Sequence, residues 1–173
     1  LVEAVTGDKI SVGAPFFNLT FGPLILPLLV IVPFGPLLAW KRGDIWAVSQ
    51  RLFWAFGAAL VVALLAFVMV DGASVLAALG IGLGVWLVLG ALTDLVVKSG
   101  FGKAAPSVVF SRFKGLPRSV FGTALAHAGI GLTTIGIISV TTLETERIAA
   151  MQPGETVEIE GYNLRFDSLR PFT

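Results

Sequence analysis

The chain has 173 residues, 55% of them hydrophobic and only 13% charged, with a mean hydropathy of +0.90 and a formal net charge of +1. Soluble domains carry about 25% charged residues, so this composition argues against a soluble globular protein and for an integral membrane one. There is no cysteine, which excludes disulfides, thiolate metal sites and CxxC redox chemistry within the chain, and a net charge this small carries no information about nucleic acid or acidic partners.

Residues 1–18 open with Leu1-Val-Glu-Ala-Val-Thr-Gly-Asp-Lys-Ile, which lacks the basic start and apolar run of a signal peptide. Because the chain starts at Leu1 and stops just after a strand-like pattern, it reads as a piece of a longer protein.

Four apolar blocks follow, at residues 19–40, 52–70, 73–97 and 119–140. Each approaches or exceeds the ~17–25 residues that cross ~30 Å of hydrocarbon. As buried helices of a soluble protein they would leave too little polar surface to cover them. Lys41, Arg42 and Arg51 lie after the first block, and Lys98, Lys103, Arg112, Lys114 and Arg118 after the third. The second-to-third connection, Asp71-Gly-Ala-Ser, holds no cation. Loops rich in Lys and Arg stay cytoplasmic, which places both termini on the opposite face, the periplasm of a bacterium.

The first block contains Pro23, Pro27, Pro33 and Pro36. Each removes a backbone donor, so a kinked or broken helix is expected, its freed carbonyls satisfied by neighbouring helices or water. Trp40, Trp46 and Trp54 flank the first cytoplasmic loop, at headgroup level. In the third block, Gly80-Ile-Gly-Leu-Gly and Gly90 suit close helix contact; with no preceding strand, the string is a poor nucleotide fingerprint. Asp94 lies near the cytoplasmic end of that block, one turn before Lys98, and reads as a boundary acid paired with it rather than a proton or ligand group.

The fourth block carries His127, the chain's one histidine. It stands eight residues into the span, roughly 12 Å deep at ~1.5 Å per residue. Ionisable groups are costly in hydrocarbon and mark functional sites, and neutral imidazole ligates metals and haem iron. Helical spacing puts Thr123, Ile130, Gly131 and Thr134 on its face, and Gly122, Gly129, Gly131 and Gly136 make this the helix richest in small residues. Small residues would admit a flat macrocycle or a neighbouring helix. The residues by themselves leave open whether His127 ligates a metal or hydrogen-bonds another helix. Six-coordinate haem needs a second axial ligand, for which Met69 and Met151 are poorly placed.

Residues 141–173 change character. Met151-Gln-Pro-Gly-Glu signals a turn, and Thr156-Val-Glu-Ile-Glu and Leu164-Arg-Phe-Asp-Ser-Leu alternate around a turn near Glu160–Tyr162. Two strands are marginal alone, so this reads as the start of a periplasmic β domain. The expected fold is an all-α integral membrane protein with four transmembrane helices, periplasmic N and C termini, and a small periplasmic β region at the C terminus.

Several local sequences, in this order, resemble the CcmF-type haem lyases of system I cytochrome c maturation. They are Lys9-Ile-Ser-Val-Gly-Ala-Pro-Phe-Phe-Asn, Phe21-Gly-Pro-Leu-Ile-Leu-Pro-Leu-Leu, Pro33-Phe-Gly-Pro-Leu-Leu-Ala-Trp-Lys-Arg-Gly-Asp, Leu125-Ala-His-Ala-Gly-Ile-Gly and Pro153-Gly-Glu-Thr-Val-Glu-Ile-Glu-Gly-Tyr-Asn-Leu-Arg-Phe. The resemblance spans nearly the whole chain but only the middle-to-late part of a family member.

The resemblance implies an inner-membrane protein that accepts haem from the chaperone CcmE and, with CcmH, attaches it to apocytochrome c. That attachment adds cysteine thiols to the haem vinyl groups and requires ferrous haem. The family's tryptophan-rich motif and the periplasmic histidines that hold substrate haem are not in this chain. The family also holds a structural haem b between two histidines from different helices. His127 matches the second of these, with Thr123 and Gly131 beside it on the helix face, and its partner ligand would belong to an absent helix. No catalytic residue is assigned. Two rivals stand beside this reading: a transporter piece, with the broken first span and Asp94 lining a path, and a non-haem assembly scaffold of the maturation complex.

Overall fold

The computed structural model describes residues 14–38, 43–69, 74–144 and 148–169, excepting the side chains at 14, 15, 17–19 and 143, and all that follows concerns those. Residues 1–13, Trp40, Lys41, Arg42, the Asp71-Gly-Ala stretch, Arg147 and residues 170–173 lie outside them.

The described chain is mostly helical. Helix α1 spans Ala14–Ile31 and runs directly into a 3₁₀ segment, Val32–Leu37. Pro23 and Pro27 sit within α1, and the geometry changes where Pro33 follows. A proline clashes with the carbonyl four residues back, and the tighter 3₁₀ winding redirects the chain there. The carbonyl of Val30, at this junction, accepts the Trp86 indole N–H at 3.0 Å. A backbone acceptor at the break is thus satisfied by a neighbouring helix, as a lipid environment demands.

Helix α2, Ile45–Met69, begins ahead of the apolar block expected from residue 52. Asp44 accounts for this start, its Oδ1 accepting the Ala47 N–H at 3.1 Å as an N-cap. Helix α3, Val75–Ser99, has Ser74 as its cap, the hydroxyl oxygen accepting the Ala77 N–H at 3.1 Å. It ends in a Schellman turn, with Gly100 at φ +77° and N–H bonds from Phe101 to Val96 and from Gly100 to Val97. The connection to the next span is not plain loop: it holds a short helix α4, Pro106–Lys114. Helix α5, Arg118–Leu143, follows. The first span with its 3₁₀ extension, α2, α3 and α5 are each long and apolar enough to cross a membrane.

Helix α3 is central. It packs along α2, α5, α4 and the 3₁₀ segment, and 44% of its span is buried against 22% or less for the others. Glycines set these contacts. A Cβ on Gly84 would lie 2.8 Å from the Gly131 carbonyl of α5, and one on Gly131 would lie 2.6 Å from the Gly84 carbonyl. Gly80 faces Ile138 of α5, Gly82 faces Ala59 and Ala63 of α2, and Gly90 faces Pro33. From Gly80–Ile138 to Gly84–Gly131 the numbers run in opposite directions, so α3 and α5 are antiparallel. Helix α2 answers with a stripe of small and medium side chains, Val48, Leu52, Ala55, Ala59 and Ala63, spaced three and four apart as one helix face requires. Trp86 fills the space the 3₁₀ segment leaves, with Phe34 and Phe56 at ring distances of 6.0 and 5.9 Å.

The C-terminal residues form an antiparallel hairpin of β1, Thr156–Ile159, and β2, Tyr162–Arg165, with Thr156 opposite Arg165 and Ile159 opposite Tyr162. Its two turn residues, Glu160 and Gly161, both have positive φ, the requirement of a tight two-residue hairpin turn. No described helix packs against it.

Substituting Gly131 by leucine will overpack a contact whose opposing atom is backbone and cannot rotate away. A loss of about 1–3 kcal/mol is expected, read as a lowered thermal midpoint of the full-length protein in detergent. Gly136→Ala, with nothing within 4 Å of its Cβ position, will leave that midpoint unchanged or slightly raised.

Candidate functional site

His127 sits in the first half of α5, one turn before Gly131. Residues of α5 that meet α3 include Gly131, Ile135 and Ile138, and Ala124, on the same side of α5, is buried. By helical spacing His127 stands on the flank of that stripe rather than at its centre. It is half-buried, and its imidazole makes no hydrogen bond or ion pair with any described residue. The hydrogen bond to another helix that the sequence left open is therefore not made within the described chain.

Its neighbours divide in two ways. Gly131 is buried against Gly84, Leu87 and Val88, so its smallness serves the α3–α5 contact. Thr123 is exposed and donates its hydroxyl to the Ser119 carbonyl at 3.0 Å; Thr134 does the same to Ile130 at 2.9 Å. Both hydroxyls are occupied by their own helix. Gly122, Gly129 and Gly136 lie seven apart on the opposite side of α5 from His127, and no described atom comes within 4 Å of a Cβ placed there. The exposed face carries Leu125, Ile130, Leu132 and Ile137. The structure thus offers one imidazole at the edge of an apolar helix, held at fixed depth by a backbone-level contact. A neutral imidazole in such surroundings can donate one nitrogen to a metal. No group of three or more His, Cys, Asp or Glu able to hold a metal ion occurs among the described residues.

Asp94 is the second polar feature. It is 1% exposed, and its Oδ2 pairs with Lys98 Nζ at 2.8 Å one turn on. The pairing matches the i, i+4 spacing, but the carboxylate is enclosed rather than at an open boundary. Its Oδ1 has no hydrogen-bond partner among the described residues, an uncommon state for a buried acceptor.

Two further features were not legible as sites. Trp86 ties α3 to the proline break, and a lone indole in a Gly- and Leu-rich helix was the signal for it. A wide apolar groove of about 1190 Å³ runs between α1, α2 and α3, with Phe21, Ile25, Phe34, Phe53 and Phe56 along it. His127 does not line it.

The chain is similar to proteins of known name. Over 170 residues it is 59% identical to the cytochrome c-type biogenesis protein CycK of Rhizobium meliloti, covering 98% of the chain and 25% of that protein. It is 48% identical over 168 residues to CycK of Bradyrhizobium diazoefficiens, covering 97% of the chain and 26% of the relative. It is 33% identical over 171 residues to the cytochrome c-type biogenesis protein CcmF of Pseudomonas aeruginosa, covering 98% and 25%. The chain therefore spans about a quarter of the length of these relatives. No family model and no solved structure matches it.

The Asp94–Lys98 pair makes an ordered prediction. Lys98→Ala leaves a buried carboxylate with neither oxygen bonded within the described chain, whereas Asp94→Leu removes the charge and fills the space. In urea or thermal unfolding of the full-length protein, Lys98→Ala will be the more destabilised of the two.

Proposed function

The chain belongs, as a segment about a quarter as long, to the family of CycK and CcmF cytochrome c-type biogenesis proteins, and on that premise we propose that it is the part of a cytochrome c haem lyase that contributes one axial ligand to a membrane haem b. In this reading the protein lies in the bacterial inner membrane with the chain's termini on the periplasmic face. The cations at Arg51, Lys98, Lys103, Arg112, Lys114 and Arg118 support that orientation. Its partners are the haem chaperone CcmE, CcmH and apocytochrome c, and the whole protein's activity is the covalent attachment of haem.

One observation carries the reading: His127 presents an imidazole with no hydrogen-bond partner among the described residues, on the flank of an apolar helix. An uncommitted imidazole in hydrocarbon is unfavourable unless something ligates or bonds it. The residues present fit half of such a site. His127 would bind iron through one ring nitrogen, in the neutral form. A second ligand to the iron would come from outside the described residues. When bound, the haem supplies one-electron chemistry within the membrane.

The chain's own residues then have definite tasks. The Gly84–Gly131 contact fixes how deep α5 sits against α3, and so where the imidazole stands. Thr123, its hydroxyl engaged by Ser119, contributes shape rather than a free proton. Ile130, three residues on, lies on the same side of the helix as the imidazole, and Leu125 on the other.

In the full-length protein, His127→Ala will lose most of the haem b absorbance that purifies with wild type, while Leu125→Ala, on the exposed face, will keep it. A His127→Ala protein with an unchanged haem b spectrum overturns the ligand assignment.

A further inference from the structure

The link between α3 and α5 combines two properties that haem ligation by His127 does not use. The first is an open apolar slot of about 660 Å³ between the end of α3 and α4. Leu92, Leu95 and Val96 form one wall, and Val109, Phe110 and Phe113 the other. Phe110 is 60% exposed, and Phe101, at the slot mouth, 70%. The second is an unbalanced ring of cations. Between Gly100 and Arg118 there is no acidic residue, and Lys103, Arg112, Lys114 and Arg118 form no ion pair with a described residue.

Lys103, Arg112 and Lys114 are each next in sequence to a residue that lines the slot. The Arg112 guanidinium lies over Gly100, so close that a Cβ there would stand 2.7 Å from Nη1. Lys114 holds its ammonium 4.4 Å from the centre of the Phe110 ring, on the slot's outer wall. Lys103 follows Gly102, which lines the slot, and precedes Ala104, which also lines it. The Lys98 ammonium is already paired with Asp94. On α4, Val109, Phe110 and Phe113 share the side that lines the slot, while Ser107, Ser111, Arg112 and Lys114 lie on the other together with exposed Val108. A short helix with a basic, mostly polar side suits the plane of a membrane interface, with the basic side toward headgroups.

We propose that this slot and its cationic rim form a binding site for an anionic phospholipid. One acyl chain lies between α3 and α4, and the headgroup phosphate sits among Lys103, Arg112 and Lys114. Charge complementarity selects this occupant. A zwitterionic lipid would satisfy the apolar slot equally but leave the uncompensated cations without a counter-charge, and basic groups at an anionic leaflet each add attraction. Arg112 suits the phosphate particularly, because its planar guanidinium can donate two parallel hydrogen bonds. The proposal depends on the chain lying in a membrane and not on haem ligation by His127, so the two stand or fall separately.

The test uses the full-length protein in phosphatidylcholine nanodiscs, with spin-labelled phosphatidylglycerol or spin-labelled phosphatidylcholine as probe. The readout is the motionally restricted fraction of each. Wild type is expected to prefer phosphatidylglycerol by on the order of tenfold, with the preference falling steeply in 1 M salt. The combined variant Lys103→Gln, Arg112→Gln, Lys114→Gln will bind the two probes alike. Val109→Trp, which fills the slot and leaves every charge, will also lower the restricted phosphatidylglycerol. Equal binding of the two probes by wild type, a preference indifferent to salt, or the wild-type preference surviving in either variant overturns the site. The first and second readings need no substitution, so they decide the matter even if a variant does not fold.

Discussion

The rest of this structure depends on backbone-to-backbone contact along α3. In hydrocarbon, apolar side chains gain nothing by leaving lipid for one another, so helices associate through close van der Waals packing and hydrogen bonds. Glycine permits the closest approach. Gly84 and Gly131 meet so that each occupies the space a Cβ would take on the other, and Gly80, Gly82 and Gly90 repeat the device toward Ile138, α2 and Pro33. One helix thereby seats three neighbours at short range. The position of His127 is a consequence: with Gly131 pinned one turn away, the imidazole cannot slide along or rotate far around the bundle.

The proline-rich first span is the complementary element. Its break leaves a carbonyl that lipid cannot satisfy, and Trp86 on α3 donates to it. The same indole is flanked by Phe34 and Phe56, so hydrogen bond and ring packing are supplied by one side chain. The break is thus an anchored feature of the fold. Phe34 of the broken segment also lines the apolar groove beside Phe53 and Phe56.

Much of the architecture was legible because bilayer thickness imposes a length on apolar runs, and the four long helices follow from that alone. Their ends were less so. The start of α2 at Ile45 depends on a cap by Asp44, which precedes the apolar block. Helix α4 was hidden because its nine residues are too few and too mixed for a span, and its cations read as loop charge. Its signals were local: Pro106 at the first turn, Arg112 and Lys114 in the last, and Val109, Phe110 and Phe113 at helical spacing. At the candidate site, the type and rarity of His127 marked it. Thr123 and Gly131 were grouped with it by spacing, which cannot tell a face that meets another helix from one that meets a ligand. Gly131 turned out to meet α3.

The sequence by itself determined four apolar runs long enough to cross a membrane, the prolines that break the first, and the single imidazole within the fourth, because composition, proline and charge act through local chemistry and helix length. The tertiary structure decided which glycines touch which helices, that Asp94 is buried with one oxygen unbonded among the described residues, and that α3 and α4 border an apolar slot with cations beside it. Those features depend on groups far apart in the chain arriving at distances of a few ångströms, and no one-dimensional pattern specifies which surfaces meet.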